Sequence, residues 1–319
     1  MEIAIIKLGA DGDVIRTLPI AKALKERYPE SKITWITRGD IAEIISMCKE
    51  IDNVSVVPYQ ENKEFDKVFN LDVEKEAFEI LNNINSKEKI GFLENDGYPY
   101  SSNPSGEYYI NTMFDDELKR NNKKTYQEMI FEVAGIEYKK EKVSLELDNN
   151  LREELFGEDE GRVIGIHIGA SKRWPSKRWS MEKIKQLVEL EARKGNKVVI
   201  LAGPSEEKDQ EEIVKYIEER GLKIWKNNPQ GSKKDLVRYV NSCDLLICHD
   251  SLCLHISLLL NKKTIALFFC TSPDEIEGYG LLTKIVSKRL YEFFPEKSDI
   301  YDESLVNSIS VEEVEEKIN

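Results

Sequence analysis

The chain has 319 residues, with 46 lysines and arginines against 59 acids and a formal charge of −13 at pH 7, the wrong global field for gripping nucleic acid or an anionic surface. Its length exceeds one usual domain, and its 40% hydrophobic and 33% charged residues are spread throughout, which excludes long disordered tails and predicts two globular domains. The longest apolar run, Leu252–Leu260, is about half a bilayer span and is broken by His255, and no signal-peptide pattern opens the chain, so a cytoplasmic address is expected.

In chain order, Glu2–Lys7 reads as a strand, followed by the loop Leu8–Asp13, a helix over Leu18–Tyr28, a strand over Lys32–Thr37, a helix over Ile41–Met47 and a strand over Val54–Val57. Such βαβαβ alternation predicts a parallel sheet covered on both faces, with ligands at the carboxyl ends of the strands. A less regular stretch follows, broken by Tyr98-Pro99-Tyr100 and Asn103-Pro104-Ser105-Gly106. The alternation restarts with strand Arg162–Ile168, helix Met181–Arg193, strand Lys197–Ala202, helix Glu206–Glu219 and strands Asp244–Cys248 and Thr264–Phe268. The acidic segment Asn149–Gly161 carries turn and linker residues, which places the boundary near residue 158: an N-terminal domain over 1–158 and a C-terminal domain over 159–319, with the last helix a candidate to pack back on the first domain. Two facing Rossmann-like domains would leave one central cleft.

Four loops concentrate residues suited to chemistry. Lys7-Leu8-Gly9-Ala10-Asp11-Gly12-Asp13-Val14 leaves the first strand; its glycines let the backbone turn tightly, and Asp13 lies near a helix N-terminus, either as a cap or as a catalytic carboxylate. Gly169-Ala170-Ser171-Lys172-Arg173-Trp174-Pro175, with Lys177-Arg178-Trp179 beyond it, gathers cations at a strand end. Lys172 or Arg173 could there neutralise a leaving diphosphate, as a metal ion does elsewhere, or simply be solvated. In Ala202-Gly203-Pro204-Ser205-Glu206, Ser205 can cap a helix, and Glu206 or Glu207 serves either the helix dipole or a sugar hydroxyl. In Cys248-His249-Asp250-Ser251-Leu252-Cys253-Leu254-His255, Ser251 opens a helix whose N-terminus is a ready anion site; the alternative makes His255 a core histidine and Asp250 a cap.

Five cysteines, Cys48, Cys243, Cys248, Cys253 and Cys270, fall at irregular spacing and fit reduced thiols. Three of them lie near His249 and His255 in sequence, but no C-x-x-C pair occurs and the neighbours read as buried strand and helix. Core packing is expected rather than zinc, and no metal ligands are assigned.

Taken in order, these loops resemble glycosyltransferase family nine, the ADP-heptose:lipopolysaccharide heptosyltransferases and their relatives, over nearly the whole chain. Gly12-Asp13-Val14 and Thr17-Leu18-Pro19 are similar to its G-D-V and T-L-P motifs, and Lys172-Arg173-Trp174-Pro175 to its K-x-W-P. Ala202-Gly203-Pro204-Ser205-Glu206 approximates G-x-P-x-E, and Asp250 to His255 resembles D-[TS]-G-x-x-H, with Leu252 standing where the family usually has glycine. The resemblance implies an α/β GT-B fold of two doubly wound parallel-sheet domains. It further implies metal-independent, inverting transfer of a sugar, heptose foremost, from an ADP-linked donor to a glycan or glycolipid hydroxyl. No cofactor beyond the nucleotide-sugar co-substrate, no nucleic-acid partner, and at most peripheral contact with the inner membrane face are expected. Carried over by position, Asp13 becomes the base, with Gly12 beside it on the acceptor side, and Lys172 the diphosphate cation. Glu206 becomes a donor-hydroxyl partner, and Gly169, Ser171, Asp250, Ser251 and His255 the donor pocket. Lys119 and Arg120, with Lys123 and Lys124, are acceptor-side candidates that read equally as a solvated helix face. Leu252 motivates the alternative of a non-catalytic nucleotide-sugar or glycan-binding relative; a transferase for another NDP-sugar and a nucleotide-sugar epimerase are the remaining readings.

Overall fold

The computed structural model describes residues 1–60, 62–147, 150–158 and 161–318. They form two compact domains: Met1–Glu146 together with Asp274–Glu277, and the remainder from Leu147 to Pro273 and from Gly278 onward. Asn149, Asp159 and Glu160, part of the linker expected from sequence, lie outside the described residues. The division falls at Glu146, ahead of the expected residue 158, because the helix Leu151–Phe156 belongs to the second domain. Its Arg152 donates to both carboxylate oxygens of Asp244, at 2.7 and 3.0 Å, and Phe156 meets Trp225 edge to face at 5.0 Å.

The first domain runs β1 (Glu2–Ile6), α1 (Asp11–Thr17), α2 (Pro19–Arg27), β2 (Lys32–Thr37), α3 (Ala42–Ile45), β3 (Asn53–Val56), β4 (Glu64–Asn70) and α4 (Lys75–Asn83). It continues through β5 (Asn85–Asn95), β6 (Tyr98–Ser101), α5 (Glu107–Phe114), α6 (Asp116–Asn121) and α7 (Tyr126–Ala134). The helical run after β1 begins at Asp11, inside the segment read as loop, and breaks at Pro19, which cannot donate the next helical bond but suits the first position of α2. The sheet order is β3-β2-β1-β4-β5-β6, parallel except for β6. That last strand lies within the stretch read as irregular. Asp96 and Gly97, at φ 51° and 83°, make a two-residue turn between the paired Asn95 and Tyr98, and Pro99 is tolerated because β6 is an edge.

The second domain contains α8 (Leu151–Phe156), β7 (Val163–His167), α9 (Met181–Arg193), β8 (Lys197–Leu201), α10 (Glu207–Glu218), β9 (Trp225–Lys226), α11 (Lys233–Ser242) and β10 (Leu245–His249). It ends with α12 (Leu252–Leu259), β11 (Lys263–Phe268), β12 (Leu282–Val286), α13 (Leu290–Phe293), α14 (Glu303–Val306) and α15 (Val311–Ile318). Its sheet, β12-β11-β10-β7-β8-β9, is wholly parallel, and β7, β8 and β10 are buried along their entire length, as a doubly covered sheet requires. One face packs Ile164, Ile166, Val198, Ile200, Ile247 and Leu267 against α9, α10 and α15. The last helix closes its own domain: Val314 and Ile318 enter this core and Arg162 donates to Ile318 O at 2.7 Å.

Renumbered from each domain's first strand, both sheets have the order 3-2-1-4-5-6. The order reverses between β1 and β4 in one domain and between β7 and β10 in the other, and such switch points open crevices at the carboxyl ends of the strands.

Candidate active site

At the first switch point, Asp72 just beyond β4 gathers the loop after β1. Its Oδ2 accepts from Leu8 N at 2.9 Å, Gly9 N at 3.0 Å and Lys7 Nζ at 3.2 Å, while Oδ1 accepts from Glu74 N at 3.0 Å. Burial works to raise the Asp72 pKa, but Lys7 and the backbone donors outweigh it and hold the carboxylate below its usual range. Burial likewise works to lower the Lys7 pKa, and Tyr126, Asp72 and Asp13 hold it above the ordinary lysine value. A Cβ on Gly9 would lie 2.1 Å from Glu74 Oε1, so a side chain there would displace this carboxylate, which is paired with Arg38.

Asp13 is the third residue of α1, next to Gly12. Ala10 occupies the N-cap position without a side-chain bond, and the Asp13 carboxylate pairs with Arg16, so its side chain is not a helix cap. It stays 34% exposed, which leaves it reachable by a substrate hydroxyl, and the Arg16 guanidinium lies over the Tyr126 ring, Cζ to centroid 4.0 Å. Lys119 and Arg120 sit half-buried on α6. Their neighbours are committed to ion pairs, Lys123 with Asp274 at 2.7 Å and Lys124 with Glu132 at 2.6 Å.

At the second switch point β7 and β10 end in His167 and His249. His249 Nε2 accepts the Trp179 N–H at 2.9 Å, so Nδ1 carries the proton and faces Gly169 O at 3.4 Å. Burial, reinforced by the neighbouring His167, pushes its pKa down to about 3; burial and then Arg178 push His167 down to about 4. Both rings are neutral ties, His249 fastening the loop after β7 and His167 Nδ1 lying 3.3 Å from Ser251 Oγ. Ser251 is the N-cap of α12, although its hydroxyl is turned to His167 rather than to the helix.

Asp250 stands between two partners: Oδ2 is 2.9 Å from Lys177 Nζ, and Oδ1 is 3.8 Å from His255 Nε2. All three side chains are largely buried, at 16%, 12% and 6% exposure respectively. Glu206 is also buried, its Oε1 accepting from the Ser205 hydroxyl at 2.5 Å. A Cβ on Gly169 would come 2.8 Å from Glu206 Oε2, so glycine lets the β7 loop close on this carboxylate. Ser171 and Lys172 stand exposed on the same loop, where Ser171 Oγ accepts from Arg173 N at 3.3 Å. Leu252 is the half-buried first residue of α12.

The second site thus combines a helix N-terminus, half-buried Lys177 and exposed Lys172, a set suited to a diphosphate, with a buried carboxylate suited to hydroxyls. Among the described residues no group of three or more His, Cys, Asp or Glu could hold a metal ion, and the five cysteines are buried and unbridged.

The family model described as glycosyltransferase family 9 (heptosyltransferase) matches residues 61–300. The chain belongs to this family. Over 293 residues it is 22% identical to lipopolysaccharide heptosyltransferase 1 of Campylobacter coli, covering 85% of this chain and 84% of that protein. Among solved structures, a family 9 glycosyl transferase from Veillonella parvula superposes with a TM-score of 0.76 at 20% identity, covering 99% of this chain and 95% of the other. The ADP-heptose lps heptosyltransferase II of E. coli gives 0.71 at 16% identity over 100% and 98% of the two chains. A heptosyltransferase of E. coli solved with ADP gives 0.67 at 14% identity, over 100% and 99%. The fold is GT-B, and the protein is a glycosyltransferase.

Within this family 9 enzyme the structure brings Gly169, Glu206, Asp250, Ser251 and His255 to one switch point and Gly12 and Asp13 to the other. Three residues of these sites received no role from sequence. Lys177 repeats the Lys-Arg-Trp pattern of Lys172 five residues on, and nothing local marks it as the buried one. His249 stood next to Asp250. Asp72 follows β4, a strand that escaped notice because Lys67 interrupts its apolar pattern.

Proposed function

We propose that this family 9 glycosyltransferase moves a heptose from an ADP-linked donor to a hydroxyl of a glycan or glycolipid, with inversion and without a metal ion. The observation that carries the reading is the second switch point, where the N-terminal end of α12, Lys177 and Lys172 offer positive charge beside the buried Glu206. The donor diphosphate rests on that helix end, and Glu206 and Asp250 serve donor hydroxyls and the pocket around them. Two relatives support the choice of ADP and heptose, the E. coli heptosyltransferase solved with ADP and the C. coli lipopolysaccharide heptosyltransferase 1.

On the first domain Asp13 receives the acceptor proton. The acceptor oxygen forms its bond to the anomeric carbon from the face opposite the diphosphate, the bond from that carbon to the diphosphate oxygen breaks, and ADP departs with the electron pair. Lys172 and the α12 end stabilise the charge that develops on the leaving group. A lipid-borne acceptor would bring the protein to the membrane surface as a visitor; among the described residues no helix is long and apolar enough to cross it.

Asp13→Asn keeps the shape of the side chain and removes the base. Titration calorimetry should find its ADP affinity equal to wild type, while transfer falls by roughly 10²- to 10⁴-fold. Wild-type turnover in this variant would strip Asp13 of the role.

A further inference from the structure

We infer that Tyr126 is the positioning residue of the acceptor-side base: it holds Asp13 through two neighbours at once, Arg16 on the carboxylate side and Thr17 on the backbone side. The inference rests on Asp13 being that base. Tyr126 is the first residue of α7, whose start is set by a Thr125–Glu128 capping box, and its own N–H donates to Glu275 O at 2.9 Å. It is 2% exposed, and Tyr109 meets its ring edge-on, with centroids 5.8 Å apart and planes at 83°.

On this fixed ring lies the Arg16 guanidinium, Cζ 4.0 Å from the centroid, and that guanidinium pairs with Asp13 Oδ1. The phenol oxygen is 2.9 Å from Thr17 Oγ1, and Thr17 spends its only proton on Asp13 O at 2.7 Å. Tyr126 is therefore the donor to Thr17. Burial holds its pKa above the usual tyrosine value, so the proton remains in place at neutral pH. An arginine on a surface helix samples many rotamers; stacked on a locked ring it keeps the one that meets Asp13. Phenylalanine would fill the same volume, but only tyrosine supplies both the platform and the second bond.

The titratable groups coupled to Asp13 include Arg16 on its own helix, Lys7 just after β1, Tyr109 on α5 and Tyr126 on α7, with Asp72 beyond Lys7 and Glu275 beyond Tyr109. Arg16 is the cation paired with the Asp13 carboxylate, and releasing it removes that partner.

The test is a carboxyl NMR titration of Asp13, assigned with Asp13→Asn, alongside kcat and KM with ADP-heptose and a lipopolysaccharide core glycolipid. Tyr126→Leu should raise the Asp13 pKa by about one unit. The same variant should lower kcat roughly tenfold, with the donor KM unchanged and the acid limb of the kcat profile moved to higher pH. Tyr126→Phe should leave the Asp13 pKa at its wild-type value and lose part of kcat. Should Tyr126→Leu not fold, Arg16→Lys, which keeps the charge but loses the stacked plane, must shift the pKa in the same direction. An unmoved pKa together with wild-type kcat in these variants overturns the inference while leaving the base in place. Wild-type turnover in Asp13→Asn would instead remove the base, and the NMR titration would still decide the clamp.

Discussion

Two lysines five residues apart, Lys172 and Lys177, have the same local sequence and opposite environments. Lys172 is exposed, whereas Lys177 is 12% exposed and 2.9 Å from Asp250, itself 3.8 Å from His255. Removing one member of a largely buried pair leaves the other uncompensated, so Lys177→Ala should cost about 3 kcal/mol of stability, and Lys172→Ala very little. If the Lys177–Asp250 pair also shapes the diphosphate site, Lys177→Ala should weaken ADP binding in calorimetry. An unchanged melting temperature and affinity would show the pair to be idle. Charge at this loop was legible in sequence because cations at a strand end suggest an anion; which cation is buried was not, because burial depends on the neighbouring β10 loop that supplies Asp250. Asp13 was legible only as a choice between cap and base. The structure removes the cap by putting Ala10 at that position and turning Asp13 to Arg16.

At the scale of elements, the loop after β7 is tied to β10 by neutral histidines, and this has a pH consequence. His249 and His167 have folded pKa values of about 3 and about 4, below the ordinary 6.5. As pH falls below about 6.5 the unfolded chain takes these protons first, so their contribution to stability is complete above that pH and fades as pH drops towards 4 and then 3. The melting temperature should fall across this window. His249→Gln, which can still accept from Trp179 N–H and donate to Gly169 O, should make the fall shallower; an equally steep fall would contradict the account. Periodicity marked the central strands well, since β2 and α9 have the bounds expected from sequence and β1, β8 and β10 differ by a residue or so. The hairpin of β5 and β6 was carried by Asp96-Gly97, a signal hidden among prolines at Pro99 and Pro104 that argued for breaks. The partners of α8 and α15 are settled by tertiary contacts such as Arg152 with Asp244, pairs 92 residues apart that no local window contains.

For the molecule as a whole, the repeated strand order gives each domain its own switch point, one bearing Asp13 and the other the N-terminal end of α12. Family membership makes the protein a glycosyltransferase, and in the proposed reaction the first domain takes the acceptor proton while the second holds the nucleotide. Leu252, the half-buried first residue of α12, stands where the motif this stretch resembles has glycine, and a side chain there tests whether phosphate oxygens can still approach the backbone N–H groups of the helix end. The central claim is therefore that the second domain binds ADP. The decisive measurement is a thermal-shift and calorimetry panel of the purified protein against ADP, UDP, GDP and CMP without added metal. Selective binding of ADP is predicted, with stabilisation of about 2.7 kcal/mol at a hundredfold excess over Kd. Preference for another nucleotide would contradict the ADP-linked donor, and binding of none would contradict a working donor site.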